Sequence, residues 1–238
     1  MNALFKKGVL VAALAMTASS AMAATSLNIQ VTGKILPSSC TPAFPSGGGI
    51  VDFGTMKVAS LNSTGPTALP DIKTVPISIT CEDATRVGVT FSDARSSSEP
   101  TESYAIPFVS TDFSNNPDYM FGLGMYNDKK IGAYALGIQI DRGTITNDTG
   151  DQLYAIFTTD NGSSWGVKSG DSYMQIKNDK SEIFSFTSES TGTARTPASE
   201  TKINFNVGVA AIINPTNDLN ITDEANLDGL TTVELVYL

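Results

Sequence analysis

The longest run of strict alternation in this chain is KINFNVGVAAII, residues 202–213. Apolar side chains occupy every second position from Ile203 to Ile213, and polar residues or glycine separate the first four of them. A period of two indicates a β-strand, because successive side chains of a strand point to opposite faces of its sheet. The run therefore predicts a strand with one face in a core.

The same period recurs in shorter runs separated by clusters of Gly, Asn, Asp, Ser and Pro. These runs are VPISITC (75–81), VGVTF (87–91), YALGIQID (134–141), QLYAIFTT (152–159), SEIFSFTSE (181–189) and TTVELVYL (231–238). Many short alternating runs with turn residues between them are typical of an antiparallel β-sandwich or barrel. The sequence therefore predicts an all-β fold.

The first 23 residues have the layout of a secretory signal peptide. Lys6 and Lys7 precede the apolar run GVLVAALAMTASSAMA, and Ala21-Met22-Ala23 supplies the small-x-small pattern of a cleavage site. A membrane anchor is the alternative, but the run is short for a span and contains polar residues. We expect cleavage after Ala23 and an exported mature domain at 24–238.

The acidic balance of the chain argues against two classes of partner. The formal net charge is −9, and the predicted cleavage removes two lysines and no acidic residue. Nucleic acid and anionic membrane surfaces repel such a chain. No other run approaches the length of a membrane span, so we expect no nucleic-acid partner and no membrane insertion.

Histidine is absent from the chain, which removes the commonest general base and the commonest metal ligand. Ser-His-Asp and Cys-His catalytic arrangements are therefore excluded. Asp141, Asn147, Asp148 and Asp151 offer oxygen ligands in one loop, but they lack the spacing of an EF-hand. We predict no enzyme activity, no metal site and no cofactor.

Cys40 and Cys81 are the two cysteines of the chain. An even pair in an exported protein predicts a disulfide, because disulfides form and persist in oxidising compartments. A structural metal site needs more ligands than two isolated cysteines, and the chain has no CxxC spacing. We therefore predict a disulfide between Cys40 and Cys81.

An ordered set of landmarks connects the chain to one family. The landmarks are Gly33, Cys40, Phe53-Gly54, Ala59-Ser60-Leu61, Cys81 and the penultimate Tyr237. In this order they resemble the type 1 pilin-like superfamily of chaperone–usher fimbrial subunits. Within that superfamily, the chain more closely resembles a group of fimbrial-like exported proteins of unknown function.

The resemblance implies an immunoglobulin-like β-sandwich that lacks its final strand. The gap leaves a groove beside the last strand of the chain, which a periplasmic chaperone fills first and the next subunit fills later. Val233, Leu235 and Tyr237 would form this edge strand, and Cys40 and Cys81 match the disulfide of the family. The implied function is a structural subunit of a surface pilus that contributes to adhesion. The implied partners are the chaperone, the outer-membrane usher and neighbouring subunits, and the implied locations are the periplasm and then the cell surface.

The segment before Gly33 departs from the family pattern. After cleavage only residues 24–32 precede it, and at about 3.3 Å per residue they are too short for a donor strand and the start of a second strand. Leu27, Ile29 and Val31 are therefore either a donor strand or the first strand of the protein itself.

Extra length relative to a simple pilin falls in elaborated loops around 92–130 and 160–200. Such loops suit a binding surface. The alternative function is therefore a tip adhesin, or a self-complemented periplasmic or surface protein, that recognises a host glycan or protein. Trp165, in DNGSSWGVKSG, is the candidate for stacking on a sugar, and its alternative role is a hairpin aromatic folded onto the sandwich.

Overall fold

The computed structural model describes residues 28–35, 38–102, 104–106, 116–168, 170–192 and 195–238. The chain divides into two units, Met1–Leu36 and Pro37–Leu238. In the first unit, residues 28–35 form no helix or strand, and the side chains of Ile29 and Val31 are both 91% exposed. The predicted signal peptide, residues 1–23, lies outside the described residues, as does Leu27.

Strands make up most of the regular structure of the second unit. They are β1 (Cys40–Ala43), β2 (Thr67–Ala68), β3 (Lys73–Thr85), β4 (Val87–Asp93), β5 (Phe121–Gly122), β6 (Met125–Tyr126), β7 (Lys129–Lys130), β8 (Gly132–Gln139), β9 (Thr146–Asn147), β10 (Tyr154–Thr158), β11 (Tyr173–Gln175), β12 (Ile183–Thr187), β13 (Glu200–Ile213) and β14 (Thr231–Tyr237). One short α-helix, α1 (Thr216–Leu219), and four 3-10 helices, Gly47–Gly49, Val58–Ser60, Ser96–Ser98 and Pro117–Tyr119, complete the regular structure of the described residues.

The strands form two main sheets, in which every described pair is antiparallel. The larger sheet has eight strands in the order β1-β3-β13-β8-β11, with β2 and β9 also paired to β13 and β5 paired to β8. The smaller sheet has four strands in the order β10-β12-β4-β14. Strands β6 and β7 pair only with each other. The alternating run 202–213 becomes β13, which pairs with β3 on one side and with β8 on the other.

The strand order is that of an immunoglobulin-like sandwich. In such a fold, strands A, B, E and D form one sheet and strands C, F and G form the other. Here β1, β3, β13 and β8 take the places of A, B, E and D, and β4 and β14 take the places of C and F. Among the described residues, no strand takes the place of G beside β14. The predicted all-β sandwich class is confirmed.

The core lies between the two sheets. Phe91 and Phe184 of the smaller sheet pack edge to face with ring centroids 6.0 Å apart. Phe186 of the smaller sheet and Phe205 of the larger sheet have ring centroids 4.8 Å apart, and both are fully buried. The contact between Phe186 and Phe205 joins the two sheets, and each fully buried aromatic side chain removes a large apolar area from water.

A second apolar cluster covers the opposite face of the larger sheet. Ala210 and Ile212 pack there with Ile106 and Met120, and all four are buried. The residues of β13 on both faces are therefore buried toward its end, and this explains why the alternation in its sequence gives way to AAII.

Candidate functional site

Strand β14 forms one edge of the smaller sheet. Its register with β4 runs from Thr231 opposite Asp93 to Tyr237 opposite Val87. Just beyond the strand ends, Leu238 donates its N–H to Arg86 at 3.1 Å and Leu230 accepts from Ala94 at 2.8 Å. Both bonds belong to even-numbered residues of the last segment of the chain.

Hydrogen-bonded and non-hydrogen-bonded pairs alternate along an antiparallel ladder. The even-numbered residues of β14 are therefore the ones that exchange hydrogen bonds with β4. The backbone N–H and C=O groups of Val233, Leu235 and Tyr237 point to the other side, the open edge. Within the described part of the chain, β14 pairs with β4 alone. The three residues predicted as an assembly edge are thus the ones whose backbone groups face outward from the sheet.

The side chains of β14 alternate in the same way. Val233 and Leu235 are half-buried and pack against the main core. Glu234 points to the opposite face, where its carboxylate contacts Lys180 Nζ at 2.6 Å. Because the inward side chains and the outward backbone groups belong to the same residues, an added strand would meet both at once.

A groove of about 800 Å³ lies beside this edge. Half-buried side chains of Val51, Phe53 and Met56 form the wall that faces β14. Buried side chains of the larger sheet, including Ile77 and Val207, form its floor. Phe53 is one of the family landmarks in the sequence. Val51 and Met56 are not predictable as part of the site, because the apolar residues of this segment follow no regular period.

Tyr237 ties the far end of β14 to the larger sheet, outside the residues that line the groove. Its hydroxyl oxygen accepts a hydrogen bond of 2.9 Å from the N–H of Cys40, at the start of β1. Cys40 is joined to Cys81 by the predicted disulfide, and the two residues are direct neighbours in the register of β1 and β3. The disulfide therefore restrains the Cys40 N–H, which donates the hydrogen bond to Tyr237 at the end of β14. Tyr237 is nevertheless 48% exposed.

Tyr134 lines the groove, and its hydroxyl lies 2.7 Å from the hydroxyl of Thr231 at the start of β14. Burial raises the pKa of Tyr134 well above its usual value, so the phenol is neutral. A Cβ atom at Gly229 would lie 2.6 Å from the ring of Tyr134. Glycine at this position therefore allows the chain to approach the ring before it enters β14.

The predicted donor or first strand is not tested by this geometry. Leu27 lies outside the described residues, and Ile29 and Val31 lie in the first unit without strand pairing. Trp165 is half-buried and lines a separate cleft next to a tight turn. It is therefore not part of the groove beside β14.

Sequence reasoning missed a buried ion pair between Lys168 and Glu182, whose side chains are only 5% and 4% exposed. Lys168 Nζ lies 5.0 Å from the ring centres of Tyr119 and Phe157 and 5.1 Å from that of Phe184. Burial lowers the pKa of Lys168, and the carboxylate of Glu182 opposes this shift. The two charges are 14 positions apart in turn-rich sequence, and no local pattern marks them as partners.

In the part of the chain that the structure describes, no three acidic, cysteine or histidine side chains converge as a potential metal site. None of the helices described is long and apolar enough to cross a membrane.

Comparison with known proteins gives three kinds of match. A family model described as a protein of unknown function (DUF1120) matches residues 29–135. The chain is 30% identical to Protein GltF of Escherichia coli (strain K12) over 243 residues, which cover 95% of each protein. It is 28% identical to Uncharacterized protein YhcF of the same organism over 244 residues, or 96% of this chain and 98% of that protein.

Among solved structures, the chain is similar to a protein in a structure of a chaperone–usher pilus. The match covers 91% of this chain and 98% of that chain, at 11% identity and a TM-score of 0.32. That score is too low to support the fold, which depends instead on the strand order described above.

Proposed function

The chain belongs to the protein family of GltF from Escherichia coli, and from that premise we propose that it is a fimbrial-type subunit that accepts an extended strand from a partner. The observation that carries this proposal is the open edge of β14 beside an apolar groove. A periplasmic chaperone would supply the first strand, and a neighbouring subunit would replace it during assembly through the outer-membrane usher. The protein would then be displayed on the cell surface as part of a fimbrium.

The physical basis is β-augmentation, in which an added strand bonds to an exposed sheet edge and places alternate side chains in pockets. Val233 and Leu235 present outward N–H and C=O groups, and their side chains line the core side of the same strand. Natural proteins normally protect such edges, because an open edge pairs with other chains. An open apolar edge is therefore best explained as one that a partner covers.

The first unit supports a role in pairing between molecules. The side chains of Ile29 and Val31 are exposed although both are apolar, and they alternate with polar residues in the sequence. Exposed apolar side chains in sequence mark a contact surface. We therefore propose that Leu27, Ile29 and Val31 act as a donor strand for a neighbouring subunit rather than as an internal first strand.

The proposal can be tested with two matched substitutions. Ile50 lines the groove and is 80% exposed, whereas Ile72 lies away from the groove and is 37% exposed. Ile50→Glu places a charge where the partner strand would lie, and Ile72→Glu adds the same charge elsewhere. Because both side chains are exposed, we expect both variants to fold.

Each variant would be exported with a periplasmic pilus chaperone, and the amount of co-purified chaperone would be measured. We expect Ile50→Glu to reduce co-purification strongly and Ile72→Glu to leave it near the wild-type level. Equal co-purification of both variants would show that the groove is not the binding site. A wild-type monomer that withstands denaturant alone and binds no chaperone would refute strand acceptance altogether.

A further inference from the structure

A second cleft, of about 620 Å³, lies around Trp165. It is bounded by the turn at residues 161–165, by Arg86 between β3 and β4, by residues 195–197 before β13, and by Leu238 directly after β14. It shares no lining residue with the groove beside β14. The cleft therefore needs an explanation that does not depend on strand acceptance.

The turn holds Trp165 in a fixed position. Phe157 and Gly166 exchange two backbone hydrogen bonds, both of 2.9 Å, across the base of the turn. The carboxylate of Asp160 accepts hydrogen bonds from the hydroxyl and the N–H of Ser164, at 2.6 and 3.0 Å. Hydrogen bonds from Ser164 and Thr158 lower the pKa of Asp160 to about 2, so this carboxylate stays ionised and within the turn. These bonds fix the backbone on both sides of Trp165, whose half-buried side chain lines the cleft.

Two guanidinium groups line the same cleft. Arg86 donates from Nε to the backbone oxygen of Pro197 at 3.1 Å, and Arg195 donates from Nη2 to that of Ser190 at 3.2 Å. These bonds hold the two side chains in place, and each uses one N–H of its guanidinium group. A guanidinium group carries five N–H donors, so further donors remain on each arginine. Among the described residues, no carboxylate forms an ion pair with either arginine. In a chain of net charge −9, these two guanidinium groups bring two positive charges to one cleft, where the carboxylate of Asp160 is already bonded within the turn.

The combination of groups indicates the class of ligand. Guanidinium groups bind carboxylates through paired, charge-assisted hydrogen bonds. A flat aromatic surface packs against the apolar face of a ring, and the polar groups of Asn161 and Ser163 surround it. We propose that the cleft around Trp165 binds a saccharide that carries a carboxylate. Sialic acids and uronic acids are the two sources of this chemistry.

The chain has one tryptophan, so its fluorescence reports on this cleft directly. The folded mature protein would be titrated at physiological salt with N-acetylneuraminic acid, glucuronic acid, glucose and inorganic phosphate. We expect a saturable change in emission with at least one of the acidic sugars, and a response to glucose at least about tenfold weaker. The relative affinity of the two acidic sugars identifies which source the cleft prefers.

Variants separate the roles of the arginines from a general effect of charge. We expect Arg86→Gln and Arg195→Gln each to weaken binding by about tenfold or more. Arg142→Gln makes the same change at an exposed arginine outside the cleft and should bind like the wild type. Circular dichroism would confirm that each variant is folded.

Three results would overturn the proposal. These are the absence of a saturable change with either acidic sugar, equal binding of glucose, and equal binding of phosphate and the acidic sugars. An effect of Arg142→Gln as large as that of Arg195→Gln would also overturn it. None of these results bears on strand acceptance at β14, which is tested separately by chaperone co-purification.

Discussion

Two proline substitutions three residues apart on β14 test the direction of its backbone hydrogen bonds. By the alternation of hydrogen-bonded pairs along the ladder, the N–H of Val236 donates to the C=O of Gly88 on β4, and Gly88 is buried. Val236→Pro removes that donor and leaves a buried carbonyl without a partner. Val233→Pro instead removes an N–H that points to the open edge, and proline is tolerated at sheet edges.

The two substitutions should differ clearly in their effect on stability. An unsatisfied buried carbonyl costs about 1–3 kcal/mol, and the proline ring also crowds β4, so we expect Val236→Pro to lower the free energy of unfolding by about 3 kcal/mol or more. Val233→Pro keeps an apolar side chain on the groove side and breaks no bond to β4. We expect it to cost less than about 1.5 kcal/mol.

Val233→Pro should weaken the binding of a partner strand although it has little effect on stability. A partner strand would lose one hydrogen bond at Val233→Pro and would keep an unpaired carbonyl there, so we expect its affinity to fall by about tenfold or more. Urea unfolding followed by circular dichroism measures the change in the free energy of unfolding. Chaperone co-purification measures the change in affinity for a partner strand. If Val233→Pro destabilises the isolated chain as much as Val236→Pro, the assignment of outward backbone groups is wrong.

Three further predictions concern stability. Replacing both Cys40 and Cys81 with serine removes a covalent link between residues 41 positions apart. Urea unfolding should then give a free energy of unfolding lower by about 4 kcal/mol, and no change would contradict a stabilising role. Glu182→Ala leaves the buried ammonium of Lys168 unpaired and should cost about 3–5 kcal/mol, whereas the double change to Leu and Met at these positions should come close to wild-type stability or exceed it; equal losses in both would refute this. Burial raises the pKa of Asp93 above 3.8, so the stability due to this shift is full below the ordinary pKa and is lost as pH rises through the folded-state pKa. The free energy of unfolding of Asp93→Asn should therefore depend less on pH between these two pKa values than that of the wild type. Thermal unfolding of both proteins over a series of pH values measures this difference, and parallel pH profiles would refute the role given to Asp93.

The strands that the sequence predicts well are those in which one face is buried. TTVELVYL becomes β14, and IFSFT within SEIFSFTSE becomes β12. From Thr231 to Leu235 the alternation separates half-buried from exposed side chains, whereas in β12 the intervening Ser185 and Thr187 are buried too, and the run is recognisable because small polar residues alternate with apolar ones. The disulfide was predictable for a separate reason, since Cys40 and Cys81 are the two cysteines of a chain whose sequence predicts a signal peptide.

Other parts of the structure depend on contacts that no local pattern records. The polar residues EDAT (82–85) belong to β3 and not to a turn of their own, and only Arg86 separates that strand from β4. The groove wall at Val51, Phe53 and Met56 is irregular backbone, so its apolar residues follow no period. The Lys168–Glu182 pair likewise depends on the packing of three aromatic rings from distant segments.

The hydrogen bond between Cys40 and Tyr237 connects the disulfide to the end of β14. Cys40 is at once one end of the covalent link to Cys81 and the donor that holds the end of β14. In a chain whose thiols are still reduced, only noncovalent contacts would keep this donor in position. Loss of the disulfide would therefore reach the last strand of the chain as well as β1 and β3, the two strands that it links directly.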